Sequence, residues 1–345
     1  VEERIKMKLM KEYNRPLKVL TWHVHGSYLY YLTQAPCEFY LPVKEGSREE
    51  GYGGRTSSFP WGENVFNVPA EKVKDLDFDV ILFQSKKNFV TDQFEILSAE
   101  QRNLPRIYLE HDPPREVPTD TKHIVDDPEM LLVHVTHFND LMWDNNRTPS
   151  IVIPHGVVTD ENIRYSGKLD KGIVVINGLG KRGRRLGLDV FERVREEIPL
   201  DLVGMGSGEL GGLGEIPVTE LPGLITQYRF FFNPIRYTSL GLAICEAMMA
   251  GMPVIGLATT ELSVIIENNV SGFIHTDVNT LVDKMKFLLD NRAEASRLSL
   301  GAKKYADENF GISRFASDWV NVFEIMAARN KDKIVVSSRL AGGER

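Results

Sequence analysis

An α/β protein built on two doubly wound parallel sheets is the fold this sequence predicts, and three observations predict it. Short apolar runs recur at 17–24, 79–83, 106–109, 131–135 and 151–153, then at 172–176, 200–203, 230–232, 254–257 and 272–274. They are continuous rather than alternating, the pattern of strands buried on both faces. Helical periodicity falls among them at 91–101, 188–198, 240–250, 280–291 and 293–309, and such alternation calls for right-handed βαβ units. Finally, 345 residues exceed one ordinary core and suit two.

The boundary is expected at Ile153-Pro154-His155-Gly156-Val157, a Pro/Gly connector that follows a strand and precedes the polar stretch 159–171. The expected domains are therefore 1–156 and 157–311. Phe315, Trp319, Val322, Phe323 and Met326 form one stripe of a helix over 312–329, which is expected to return to the first domain as 312–330. Residues 331–345 read as a tail, frayed from 337 onward. Segment 35–70 is Gly-rich with little periodicity. It is expected to be either a surface insertion or a functional loop over the substrate cleft. Ligands of doubly wound sheets bind at the carboxyl ends of the strands, so the cleft between the two domains is the expected site.

Composition narrows the function. The net charge is −7, which argues against a general nucleic-acid surface. Cys37 and Cys245 are the only cysteines and lack metal-ligand spacing. They point to a reducing, cytoplasmic compartment with no metal site. No apolar run approaches the ~18 residues of a membrane span. Residues 1–13 carry Arg4, Lys6, Lys8 and Lys11, with Val1, Ile5, Leu9 and Tyr13 at i, i+4 spacing. They read either as a helix lying on the inner face of an anionic membrane or as a solvated leader, since Glu2, Glu3 and Glu12 dilute the charge.

Four segments can carry chemistry. The first, 237–255, reads as a Gly-containing turn, a helix bearing Glu246, and an exit at Gly251 and Pro253. Capped by Thr238 or Ser239, the helix would direct the amides of Leu240, Gly241 and Leu242 outward, a mouth that favours an anion by about 0.3–2 kcal/mol. Glu246 would then lie roughly 10 Å from the mouth, spacing for a diphosphate at one end and a ribose at the other. The second segment, 178–187, places Lys181, Arg182, Arg184 and Arg185 after a strand, where Arg forks and Lys suit phosphate oxygens. The third is Glu110-His111-Asp112-Pro113-Pro114, and the fourth His23-Val24-His25-Gly26-Ser27, each after a strand. Gly204-Met205-Gly206-Ser207-Gly208 imitates a dinucleotide fingerprint, but Glu209 occupies its third glycine position.

Together these segments resemble the GT4-type, or group 1, glycosyltransferases. Gly241-Leu242, Glu246-Ala247-Met248 and Gly251-x-Pro253-Val254-Ile255 match the family signature, and residues 263–269 with Gly272-Phe273 resemble its continuation. The 153–157 connector looks like the family's inter-domain Ile-Pro-Asn-Gly-Val. The resemblance implies the GT-B fold: two Rossmann-like domains facing each other across a cleft, with the last helix crossing back. It implies a hexosyltransferase-type enzyme that moves a sugar from a nucleoside diphosphate sugar to a hydroxyl of a glycan or lipid-linked acceptor. Retention of configuration, glycan or polysaccharide biosynthesis, and the absence of a metal or other cofactor are implied as well.

By position, the resemblance assigns donor contacts to Gly26, Gly204, Lys181, Arg182, Arg184, Thr238, Ser239, Leu240, Gly241, Leu242 and Glu246. It gives catalytic roles to His111, Arg185 and Glu246, and acceptor contacts to His25 and Ser27. The family's diphosphate lysine falls on Leu186, so Arg185 or Arg182 must replace it. One departure bears on specificity: the acidic residue that usually reads the donor sugar is the neutral Thr238. That departure keeps a second reading open, an inactive nucleotide-binding scaffold, beside a third, a nucleotide-sugar epimerase of the same architecture.

Overall fold

The computed structural model describes residues 15–341 apart from 48 and 161, with side chains as far as Arg329. The basic leader 1–13 lies outside the described residues. The chain divides into two compact units: the described residues of Val1–Pro154 together with Ile312–Arg345, and His155–Gly311. No helix among the described residues is long and apolar enough to cross a membrane.

The first unit runs β1 (Lys18–Thr21), α1 (Gly26–Leu32), β2 (Glu38–Val43), β3 (Val65–Pro69), β4 (Val80–Phe83), α2 (Gln93–Ile96), β5 (Arg106–Glu110), β6 (Leu131–His134), α3 (His137–Met142) and β7 (Ser150–Val152). Its seven strands pair in parallel in the order β3-β2-β1-β4-β5-β6-β7. The central strands are fully buried, as in Val80, Ile81, Leu82 and Phe83 of β4, which accounts for their unbroken apolar runs. The chain moves outward from β1 through β2 and β3, then returns to β4 on the other side of β1. Open α/β sheets bind their ligands at such a reversal.

Two expectations fail between β1 and β7. Segment 35–70 contains the paired strands β2 and β3; their mixed apolar and polar residues near one edge of the sheet hid the pattern. The helix expected over 91–101 is a π-turn, Asn88–Asp92, followed by the single turn α2. Ser98 and Gln101 bond reciprocally, side chain to backbone, at 2.9 and 3.1 Å, and so start a separate turn that ends the helix early.

The C-terminal helix Ile312–Ala341 packs on this unit, so the stretch expected as a tail is helical as far as Ala341. Its Trp319 Nε1–H donates to Tyr28 Oη of α1 at 3.2 Å, and Phe323 meets Phe39 of β2 edge-on at 6.2 Å. Trp319, Phe315 and Phe323 are fully buried, and truncating an aromatic of this kind to Ala costs about 3–5 kcal/mol.

The second unit runs β8 (Leu169–Val175), α4 (Leu179–Arg182), α5 (Leu188–Arg195), β9 (Leu200–Val203), α6 (Leu221–Ile225), β10 (Tyr228–Asn233), α7 (Leu242–Met249), β11 (Val254–Leu257), α8 (Leu262–Ile265), β12 (Gly272–His275), α9 (Val278–Asp290) and α10 (Arg292–Asn309). Its sheet order is β12-β11-β10-β8-β9, again all parallel. Here the reversal falls between β8 and β10, which sets the loops carrying residues 176–187 and 234–241 side by side at the carboxyl ends of the strands. Val174, Phe230, Phe232 and Ile255 form the centre of its core.

Candidate functional site

The second unit gathers most of the basic and Gly-rich motifs at its reversal point. After β8 the chain enters α4, then a 3-10 turn at Gly183–Leu186, then α5. Residues 179–186 are thus two short helical turns. Arg184 pairs with Asp189 at 2.5 Å. Asp189 also receives Arg236 through two bonds, 2.5 and 2.7 Å. The Arg236 bonds, ahead of its remaining interactions, hold the Asp189 carboxyl below the usual carboxylate range. Among the described residues, neither Lys181 nor Arg185 has an ion-pair partner. Lys181 is exposed and Arg185 half-buried.

The basic turn is stitched to the loop that precedes α7. The Arg185 carbonyl accepts from the amides of Arg236 and Tyr237 at 3.1 and 3.2 Å, and the Arg184 carbonyl accepts from the Arg236 side chain at 2.8 Å. Gly187 makes this approach possible. It sits at φ +84°, and a Cβ there would stand 2.0 Å from the Pro234 carbonyl oxygen. On the other flank, Gly178 N–H donates to the Met205 carbonyl at 2.7 Å and Met205 N–H to Asn177 Oδ1 at 2.9 Å. Gly204, at φ +134°, has the Ile176 carbonyl where its Cβ would be. The loops after β8, β9 and β10 therefore form one cross-braced frame.

Helix α7 starts two residues later than expected. Its N-cap is Gly241, extended at φ −71° and ψ 136°, and no side chain caps it. Thr238 and Ser239 are not caps; they lie with Leu240 in the lead-in to the helix. His155 supplies a physical reason: this buried residue of the 153–157 connector donates from Nε2 to the Leu240 carbonyl at 2.8 Å, which fixes Leu240 outside the helix. The first-turn amides are consequently those of Leu242 and Ala243, which have no intrahelical acceptor. Glu246 is half-buried on the next turn, about 6 Å along the axis from Leu242 rather than 10 Å. The single face expected for Ser239, Leu242 and Glu246 reduces to Leu242 and Glu246.

In the first unit the structure brings His25, Gly26, Ser27 and His111 to the reversal between β1 and β4. His25 is the N-cap residue of α1 and Gly26 and Ser27 open that helix. The His25 and His111 rings lie 4.0 Å apart, and Tyr28 meets His111 edge-on at 4.9 Å. Desolvation lowers the His25 pKa against the opposing charges of Asp112 and Glu110, although part of the residue stays open to solvent. Gly26 touches Phe59, whose ring leaves only 2.8 Å for a Cβ. Segment 51–61 covers this end of β1: His23 N–H donates to the Gly51 carbonyl at 3.2 Å, the His23 ring bonds the Gly54 carbonyl, and Trp61 meets His23 edge-on.

The turn that carries His111 is clamped on both sides of the Asp112 peptide. Glu110 Oε1 accepts from Asp112 N–H at 2.9 Å, and the Asp112 carbonyl accepts from Trp143 Nε1–H at 2.8 Å. Glu110 Oε2 is held in turn by His123 Nε2 at 3.2 Å. His123 Nδ1 accepts from Val125 N–H at 3.1 Å, so the ring proton sits on Nε2 and points at the carboxylate. A nearby carboxylate group, Glu49, Asp92 and Glu95, is close enough to hold a cation. Its charges are instead met by Lys44 and Lys87, both over the Tyr52 ring.

Residues 171–291, which include the β8–β10 frame and all of α7, match the family model for glycosyl transferases group 1. This segment is a glycosyl transferases group 1 domain. The trehalose synthases of Thermococcus litoralis and Pyrococcus furiosus are each 30% identical to the chain over 161 residues, 39% of this chain and 39% of theirs. The matched region thus spans well under half the length of those relatives. The fold is GT-B. A sucrose-phosphate synthase from Thermosynechococcus elongatus superposes with a TM-score of 0.64 at 14% identity, covering 91% of this chain and all of that one. Anabaena HepE in complex with UDP-glucose gives 0.60 at 14%, covering 89% and 99%.

Beside the expected site residues stand neighbours that sequence reading missed. Asp189 and Arg236 are 47 residues apart in sequence, and only the sheet order puts them together. His155 was visible in the connector, but nothing in the sequence links it to Leu240. In the first unit, Gln84, His123 and Trp143 carry no motif at all.

Proposed function

We propose that the protein is a retaining, metal-independent glycosyltransferase that moves a sugar from a nucleoside diphosphate sugar to an acceptor hydroxyl. One observation carries the reading: Lys181 and Arg185, without ion-pair partners among the described residues, share the β8–β10 reversal with the open amides of α7 and with Glu246. A departing diphosphate needs this combination. The cations and amides take up the developing charge, and Glu246 accepts from ribose hydroxyls. Losing one preorganised donor of this kind typically costs about 2.7–4 kcal/mol of barrier. His111 is assigned to the donor sugar, and His25 and Ser27 to a glycan or lipid-linked acceptor. Among the described residues none of the carboxylates is assigned as a nucleophile, so same-face substitution is the favoured route, with the leaving phosphate helping to deprotonate the acceptor. That HepE is solved with UDP-glucose makes UDP-sugars the first donors to try. Peripheral membrane contact through residues 1–13 and a role in polysaccharide assembly belong to the same proposal.

The test is a thermal-shift screen against UDP, GDP and ADP, since a ligand that binds only the folded state raises its stability. Transfer from the matching sugars follows, with Glu246→Ala and Arg185→Ala as variants. Nucleotide binding unchanged in both variants removes the site assignment. Thr238, neutral where the group 1 signature is acidic, favours a second reading, a nucleotide-binding scaffold without transferase activity. Product from any donor and acceptor pair removes that one.

A further inference from the structure

We propose that Gln84 sets the tautomer of His111, keeping a proton on Nε2 and making Nδ1 the nitrogen through which this histidine accepts from a substrate hydroxyl. The assignment follows from a chain of forced hydrogen-bond directions. Gln84 is buried at the carboxyl end of β4. Its side-chain nitrogen lies 3.0 Å from the Trp22 carbonyl and 2.8 Å from Thr21 Oγ1, both at the end of β1. A backbone carbonyl can only accept, so the end of the Gln84 amide facing Trp22 must be the NH2. The other end, Oε1, therefore faces His111 Nε2 at 3.2 Å. An amide oxygen can only accept, so His111 Nε2 must donate. This proton stays in place whether the ring is neutral or charged, and Nδ1 is where a proton is gained or lost.

The position of Gln84 in the fold explains why it can do this. It leaves β4 beside β1 at the reversal of the sheet, and β5, which carries His111, pairs with β4 on the other side. One side chain thus spans from the backbone of β1 to the turn after β5. His25 and Tyr28 hold the His111 ring in place, and Glu110 and Trp143 hold its turn. Gln84 alone among these contacts specifies which ring nitrogen carries the proton. It is a positioning residue: it acts on the reaction through His111, and its effect on turnover rests on the proposed role of that histidine, whereas the tautomer itself does not.

The experiment is long-range 1H–15N correlation spectroscopy on the 15N-histidine-labelled full chain, with the His111 signals identified by their loss in His111→Ala. The wild type is expected to show an N–H type Nε2 and a lone-pair type Nδ1 above the ring's titration. Gln84→Met keeps the length of the side chain and removes the acceptor, so its spectrum shifts to a tautomer mixture. Gln84→Glu restores the acceptor and with it the Nε2–H pattern. In parallel, Gln84→Met lowers kcat for transfer by at least about tenfold with little change in KM for the donor, and Gln84→Glu recovers part of the loss. A wild-type Nδ1–H pattern, or an Nε2–H pattern unchanged in Gln84→Met, overturns the proposal. An intact tautomer pattern that responds to Gln84→Met upholds it even if no nucleotide sugar is turned over, a result that counts only against the transferase reading.

Discussion

Gly187→Ala tests whether the basic turn and the 234–241 loop form one frame. The native residue has φ +84°, a left-handed conformation that costs a non-glycine residue roughly 1–2 kcal/mol. The new Cβ would also stand 2.0 Å from the Pro234 carbonyl oxygen, whereas real Cβ contacts stay beyond about 3.0 Å. Pro234 must then retreat by at least 1 Å, and overpacking of this degree costs about 1–3 kcal/mol. The total is about 2–5 kcal/mol. Gly211→Ala is the internal control. It has the same left-handed conformation as Gly187, φ +73° and ψ 22°, and nothing lies within 4 Å of its Cβ, so it pays only the backbone strain. Urea denaturation of the two variants separates the terms, and calorimetric titration with nucleoside diphosphate reports whether displacing Pro234 spreads to the site. The expected order is wild type, Gly211→Ala, then Gly187→Ala, with nucleotide affinity lowest in the last. Equal stabilities for the two variants, or native affinity in Gly187→Ala, would refute the frame.

Three further outcomes follow from the same geometry. Arg185→Ala is expected to weaken nucleoside diphosphate binding about 10- to 100-fold, the worth of a charge-assisted bond; Arg184→Ala, already committed to Asp189, loses less than about fivefold. Isothermal titration distinguishes the two. Glu110→Ala leaves the Asp112 amide and His123 Nε2–H without their acceptor, at about 1–3 kcal/mol for each group that stays buried, and should lower both the unfolding midpoint and the transfer rate. Asp189 has a depressed carboxyl, so its contribution to stability is present above the ordinary Asp value of about 3.9 and is lost as pH falls toward its lower folded value. Asp189→Asn should therefore flatten the acid limb of a stability profile below about pH 4 and leave its slope near neutrality unchanged, as urea titrations across that range will report.

Most of the fold was legible because parallel strands buried on both faces write continuous apolar runs. Residues 79–83 and 254–257 could be read as strands with no other information. Segment 35–70 could not, since β2 and β3 mix apolar and polar residues close to one edge of the sheet and their pattern dissolves into the Gly-rich loop between them. The start of α7 was misplaced for a different reason. Thr238 and Ser239 are good capping residues, and local preference favoured them, yet the bond from His155 to the Leu240 carbonyl spans 85 residues and holds that stretch out of the helix.

What the sequence by itself determined is the chemical inventory and its order: the cations of 181–185, Glu246 behind a glycine turn, His111 after a strand, and the group 1 resemblance that joins them. Tertiary structure decided which members of that inventory are available. It tied Arg184 to Asp189 while leaving Lys181 and Arg185 without ion-pair partners among the described residues, shortened the distance from the α7 mouth to Glu246, and placed Gln84 against His111. The physical reason is that residue identity and periodicity are local, whereas hydrogen-bond partnership depends on strand order, which sets residues such as Asp189 and Arg236, or Gln84 and His111, side by side across long stretches of chain.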